Sequence, residues 1–246
     1  CNSQNCGGCT LEAELGIASN SAPHPDYLGW EVKQYAAASF GNFDGSQRIT
    51  VMTPEPDGGL YRELKVAGFV ERFGYYSGKT PDRLDFTGTY FAGHPVAKTG
   101  LTLTLLGYSP STGTFGDPDE DGVALVTGDG EVAALWSFKK LIHHWNEKHA
   151  QAVYVQSQCH KGPPFRYRYG EVVRLCRGAE FGNVLRAIAG GLVYLDPGMK
   201  VENVSTARKG KARSQFRVGA LNVPKLYSET AVVSACSAAP VPWAPA

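Results

Sequence analysis

The chain contains no run of 18 apolar residues, and its most apolar stretches are broken by glycine or charge, so no membrane-spanning helix is expected. It shows no secretory signal pattern, internal repeat or low-complexity block. The six cysteines do not form a disulfide framework: Cys1, Cys6 and Cys9 crowd the start, while Cys159, Cys176 and Cys236 are scattered. Cys6-Gly7-Gly8-Cys9 resembles half of a zinc site, but only Cys159-His160 offers further ligands, so reduced thiols in a cytoplasmic protein are expected. The histidines form no Ser-His-Asp arrangement. Asp117-Pro118-Asp119-Glu120-Asp121-Gly122 lacks the closing glutamate of a calcium loop. His143 and Glu147 stand one helical turn apart without a third ligand, which suits a helix end with exposed imidazoles better than a metal site.

What is present is a chain able to build a core. At 246 residues, with 43% hydrophobic and 19% charged content, it falls among globular proteins rather than disordered ones. The first residue is Cys1 rather than Met, and residues 231–246 read as an Ala/Pro-rich tail or linker, so fusion to a further domain is expected.

The net charge of +1 hides a strong asymmetry. Between Lys98 and Lys139 there are six acidic residues and no basic one, whereas Lys161 to Arg217 holds twelve basic residues against four acidic. Such a distribution suits a protein that presents one face to a polyanion. The densest pieces are Phe165-Arg166-Tyr167-Arg168-Tyr169 and Arg208 to Arg217, with Lys209, Lys211, Arg213, Gln215 and Arg217. Interleaved aromatics and arginines suit stacking and phosphate contact, although each segment alone also reads as a solvated strand or loop.

The chemistry lies in Pro25-Asp26-Tyr27-Leu28-Gly29-Trp30-Glu31-Val32-Lys33. Trp30 and Val32 alternate with Glu31, Lys33 and Tyr35, the period of a half-buried strand. Glu31 and Lys33 then share a face, about 7 Å apart, and Asp26 can fold back to the same spot. Two carboxylates suit Mg²⁺. A lysine beside them can orient a water or steady phosphate charge. The set predicts metal-dependent phosphodiester hydrolysis. A decoy with the same loose spacing, Asp57, Glu63 and Lys65, falls where Leu60, Leu64 and Ala67 recur at helical spacing, so its residues should diverge on a solvated helix.

Periodicity and turn signals predict mixed α/β. Helices are expected over 10–18, 60–73, 137–148 and 181–189, the last capped by Gly190-Gly191. Strands are expected at 30–35, 48–53, 87–91, 101–108, 153–158, 169–175 and 192–195. Residues 123–127 and 131–136 should form a hairpin around Gly128-Asp129-Gly130.

Taken in order, Gly7 to Ile17, Pro25-Asp26…Glu31-Val32-Lys33, Ile49 to Pro54, Gly191 to Gly198 and Arg213-Ser214-Gln215-Phe216-Arg217 resemble the MvaI/BcnI restriction endonucleases, in the MutH-like branch of the PD-(D/E)xK nucleases. The resemblance covers roughly Gly7 to Tyr227. It implies an α/β fold with a PD-(D/E)xK mixed sheet flanked by helices and a second recognition lobe. The expected division is a catalytic lobe at 1–92, and remaining core strands with the recognition lobe at 93–230. It further implies Asp26, Glu31 and Lys33 as catalytic residues, Asp26 and Glu31 as ligands of Mg²⁺, and Glu12 as an adjacent glutamate on the preceding helix. The partner implied is double-stranded DNA, held between the lobes by a monomer that cuts one strand per binding event. The insert from about Gly93 to Glu131 has no placed counterpart.

The expected activity is therefore a Mg²⁺-dependent, sequence-specific DNA endonuclease of restriction–modification type. A MutH-like nicking enzyme and a non-cleaving DNA-binding module are the alternatives. The intact Asp26, Glu31 and Lys33 set favours cleavage.

Overall fold

A computed structural model describes residues 6–17, 25–78, 80–162, 164–234 and 244–245. The elements run α1 (Gly7–Glu14), β1 (Glu31–Ala36), β2 (Arg48–Met52), α2 (Tyr61–Phe73), β3 (Tyr75–Tyr76) and β4 (Arg83–Thr87). There follow β5 (Pro95–Val96), β6 (Leu101–Leu106), β7 (Tyr108–Ser109), β8 (Thr114–Phe115), β9 (Gly122–Val126) and β10 (Val132–Ser137). Next come α3 (Phe138–His149), β11 (Gln151–His160), β12 (Arg166–Arg177), α4 (Phe181–Ala189) and β13 (Val193–Leu195). The rest are β14 (Gly198–Glu202), β15 (Lys209–Lys211), β16 (Phe216–Gly219), a 3₁₀ helix (Ala220–Leu226), β17 (Glu229–Ser234) and β18 (Ala244–Pro245). The mixed α/β class expected from periodicity is the one observed.

The chain forms two compact units, residues 1–49, 144–183 and 218–246 in the first, 50–143 and 184–217 in the second. The first is built on a mixed sheet in the order β1-β11-β12-β17-β18, with β1 parallel to β11 and the remaining pairs antiparallel. Alternation gives β1 two distinct faces. Val32 joins Leu11 of α1 and Val155 in an apolar cluster flanked by Ile17, Val153, Tyr169 and Val173. The opposite face carries Glu31, Lys33 and Tyr35, with Tyr154 of β11 in register beside Lys33. Trp145 and His149 stack at 4.2 Å behind that face. The Tyr227 hydroxyl joins His149 Nδ1 at 3.0 Å and the Tyr154 hydroxyl at 2.7 Å. The expectation of exposed imidazoles at the end of α3 is thus corrected at His149, which is buried because an aromatic stack and a tyrosine hydroxyl enclose it.

The second unit holds two four-stranded sheets, β10-β9-β6-β5 and β15-β14-β4-β3. Helix α2 packs against both, and its Phe69 ring meets Phe86 of β4 at 4.9 Å and, within the helix, Tyr61 and Phe73 at 5.3 and 5.1 Å. Residues 93–131, the insert, supply β5, β6, β7, β8 and β9. Helix α4 ends on Gly191 (φ 70°), with Leu192 N–H donating to Ala187 O at 2.8 Å, a left-handed cap that fits the expected glycine stop. Among the described residues no helix is long and apolar enough to cross a membrane.

Three sequence expectations shift. The strand expected at 87–91 lies at 83–87, because Asp85 is buried by Arg83 (3.0 Å) and Ser77 (2.8 Å), so a charged stretch forms the strand. Cys6 is disulfide-bonded, which corrects the expectation of six reduced thiols, while Cys9, Cys159 and Cys176 are free. Helix α1 begins at Gly7, where a side chain would meet Gln34 Oε1 at 2.8 Å; Ala18, Cys1, Cys236 and most of the 231–246 tail lie outside the described residues.

Candidate active site

A two-residue turn builds the site. Tyr27 N–H donates to Trp30 O (3.0 Å) and Trp30 N–H to Tyr27 O (2.8 Å). The residues between them both have positive φ, 48° at Leu28 and 82° at Gly29. This is the type I′ pattern that suits a tight hairpin. Gly29 adopts it freely, whereas a left-handed leucine is strained by roughly 1–2 kcal/mol. Leu28 is 82% exposed, so packing within the protein does not offset that strain.

The turn sends the chain back so that Asp26 Oδ2 accepts the Val32 N–H at 2.9 Å. Asp26 therefore sits beside the first residues of β1. Glu31 is only 3% exposed. Its Oε1 accepts a hydrogen bond from Lys33 Nζ at 2.5 Å, and its Oε2 is buried with no hydrogen-bond partner. Burial raises the Glu31 pKa; Lys33 opposes the rise, Asp26 adds to it, and Lys148 of α3 pulls weakly the other way. The structure thus brings Asp26, Glu31 and Lys33 together. Lys148 is an addition that no spacing in the sequence signals.

An unbonded buried carboxylate oxygen is costly, and a hard cation would satisfy it. Among the described residues no three His, Cys, Asp or Glu cluster as a metal site. Mg²⁺ needs less from the protein, because it keeps several waters and takes one or two carboxylates with substrate phosphate oxygens. Asp26 and Glu31 fit that requirement. Glu12 is half-buried on α1 and makes no hydrogen bond or ion pair with the three. Its helix packs through Leu11 on the Val32 face of β1, opposite Glu31 and Lys33.

The decoy is dispersed for a different reason from the expected one. Helix α2 breaks at Lys65 (φ 54°, ψ −177°), so an unbroken helical face does not separate Glu63 from Lys65. Asp57 is what disqualifies the set. Its carboxylate accepts the Ser137 N–H (2.9 Å) and Oγ–H (2.7 Å), tying β10 to the segment before α2.

The residues expected to touch DNA fall in both units. Arg166 and Arg168 are exposed on β12, with the Arg168 guanidinium 5.2 Å over the Phe40 ring. On the same strand, the Tyr167 hydroxyl accepts the Cys6 N–H (3.1 Å) and the Tyr169 hydroxyl donates to Gly7 O (2.7 Å). Those tyrosines anchor α1. In the second unit Lys209 and Lys211 share a sheet face with Lys200 and Glu202. Hydrogen bonds from Lys200 (2.6 Å) and Lys211 (2.9 Å) hold the Glu202 carboxyl down at about 2. Arg213, Gln215 and Arg217 alternate with buried Ser214 and Phe216, so they share the face turned from the core. Arg217 Nη1 pairs with Asp196 Oδ2 at 2.6 Å.

A family model described as the MvaI/BcnI restriction endonuclease family matches residues 2–227. Among solved structures, the restriction endonuclease MvaI in complex with cognate DNA substrate aligns with a TM-score of 0.68 at 15% identity, covering 94% of this chain and 89% of that one. MvaI in the absence of DNA aligns at 0.52 and 14% identity, covering 85% of this chain and 80% of that one. At such identities the likeness carries the fold. No curated protein matches the chain.

Proposed function

The chain belongs to the MvaI/BcnI restriction endonuclease family, and from that premise we propose that it hydrolyses duplex DNA at Asp26, Glu31 and Lys33 with Mg²⁺ as its metal. The family makes it a sequence-specific endonuclease of the restriction type. The observation that supports this site is the Glu31 carboxylate, buried, paired through Oε1 with Lys33 and left with Oε2 unbonded beside Asp26. Asp26 and Glu31 would hold the ion, which supplies charge neutralisation and a more acidic water. Lys33, oriented by Glu31, positions the attacking water or steadies the negative charge that grows on the phosphate. Glu12 takes no part in this step, because its helix packs on the Val32 face of β1. Arg166, Arg168, Lys209 and Lys211 would contact backbone phosphates, while Arg213, Gln215 and Arg217 would read bases. A monomer acting in the cytoplasm completes the reading.

The test is direct. Mixed-sequence duplex DNA is incubated with the protein and Mg²⁺, and the new ends are sequenced. A short common motif at the cut sites is expected from the native protein and not from Asp26→Ala. Random ends, or equal cutting by the variant, would remove the assignment.

A further inference from the structure

Leu28 stands at the tip of the active-site turn in a conformation that glycine and asparagine adopt more readily (φ 48°). At 82% exposure it is the most exposed large hydrophobic among the described residues, and Tyr27 beside it is 42% exposed. Among the described residues no contact offsets either the strain or the exposure. Strained residues that local contacts do not explain cluster where a ligand is held. Leu28 is two residues from Asp26, hence within about 7 Å along the chain. A DNA strand advances about 3.4 Å per nucleotide along the duplex axis. A strand whose scissile phosphate reaches Asp26 and Glu31 therefore passes Leu28 within about two nucleotides.

We propose that Leu28 is a substrate-contact residue that packs against the sugar–base edge of the cut strand beside the scissile phosphate and so sets its position. The proposal rests on the DNA-endonuclease reading above. It assigns the leucine a function that the turn itself does not require. An apolar contact carries no charge, so its loss lowers affinity without changing the salt dependence, unlike loss of a phosphate contact.

The experiment compares native protein with Leu28→Asn, Leu28→Gly and Leu28→Met. The DNA is a duplex carrying a site found by end-sequencing. Asn and Gly relieve the strain, so both should melt at higher temperature than native. They should nonetheless cut with kcat/KM lowered about tenfold, the effect of losing roughly half a leucine's burial. The slope of log Kd against log salt, measured without divalent metal, should stay at the native value. Leu28→Met keeps both the strain and the apolar bulk, and should recover most of the activity. Asn and Gly variants that melt higher and cut as well as native would overturn the proposal while leaving the nuclease reading intact. A loss that Met does not recover, or one that flattens the salt slope, would also overturn it. Native protein that cuts no mixed-sequence DNA with Mg²⁺ would bring down the nuclease reading, and the contact with it.

Discussion

Asp26 and Glu31 are both carboxylates, but their surroundings give them different behaviour. Asp26 spends one oxygen on a backbone N–H, whereas Glu31 is buried with one oxygen unbonded. Because burial outweighs Lys33, the Glu31 pKa is raised in the folded protein. A raised acid contributes stability that is present below its unfolded pKa and lost as pH rises through the folded value. The metal-free protein should therefore lose stability from the ordinary glutamate range upward. Glu31→Gln should melt higher than native at pH 7 without metal, and added Mg²⁺ should raise the melting temperature of native protein only. A variant that melts lower in metal-free buffer would show that burial is not the dominant influence. The same sign governs catalysis: the acidic limb of the cleavage profile should lie above the usual glutamate range, because Glu31 must ionise before it can hold a cation. Replacing the partners gives a sharper contrast. Asp26→Ala and Lys33→Ala should each lower cleavage by about 100-fold or more, with DNA binding kept by Asp26→Ala. Glu63→Ala and Lys65→Ala should cut near the native rate, since Asp57 is committed to Ser137. Wild-type rates for both Asp26→Ala and Lys33→Ala would move the site elsewhere.

Helices and hairpins were legible in the sequence where the signal is local. The 60–73 and 181–189 helices, and the hairpin around Gly128-Asp129-Gly130, depend on spacing and turn residues a few positions apart. Less legible were strands whose partners are distant. Val172 of β12 pairs with Ser234 of β17, and Glu202 of β14 with Arg83 of β4, so nothing near either residue reveals the pairing. Likewise, the turn at Tyr27–Trp30 was readable as a fold-back of Asp26, but the burial of Glu31 was not, nor was the influence of Lys148 from α3, over a hundred residues away in sequence. One element carries much of the second unit's core. Phe69 is fully buried in α2 among three aromatic rings. Phe69→Ala should cost about 3–5 kcal/mol, read as a lower urea midpoint at unchanged slope. A cost under about 1 kcal/mol would mean that the core closes over the gap and that α2 is not its centre.

Across the whole molecule the chain crosses between its two units four times, inside β2, α3, α4 and β16. The Asp26, Glu31 and Lys33 group falls in the first unit and the Arg213-to-Arg217 segment in the second, so the proposed hydrolysis and base-reading roles should respond separately to substitution. Arg217 is the sharper candidate for base reading. Asp196 fixes one end of its guanidinium, which reduces the freedom it would lose on meeting a base. Arginine reads guanine through paired hydrogen bonds worth about 1–3 kcal/mol of discrimination. Arg213 is exposed and unconstrained by such a pair, while Lys211 is bound to Glu202 on a face rich in lysine. Arg217→Ala should therefore relax specificity at one base pair. Lys211→Ala should weaken every sequence alike and reduce the salt slope by about 0.9. Binding of Arg213→Ala, Arg217→Ala and Lys211→Ala to singly altered sites at two salt concentrations separates these roles. Should both arginine variants lose affinity uniformly across the panel, the segment anchors the backbone and the base readers lie elsewhere in the chain.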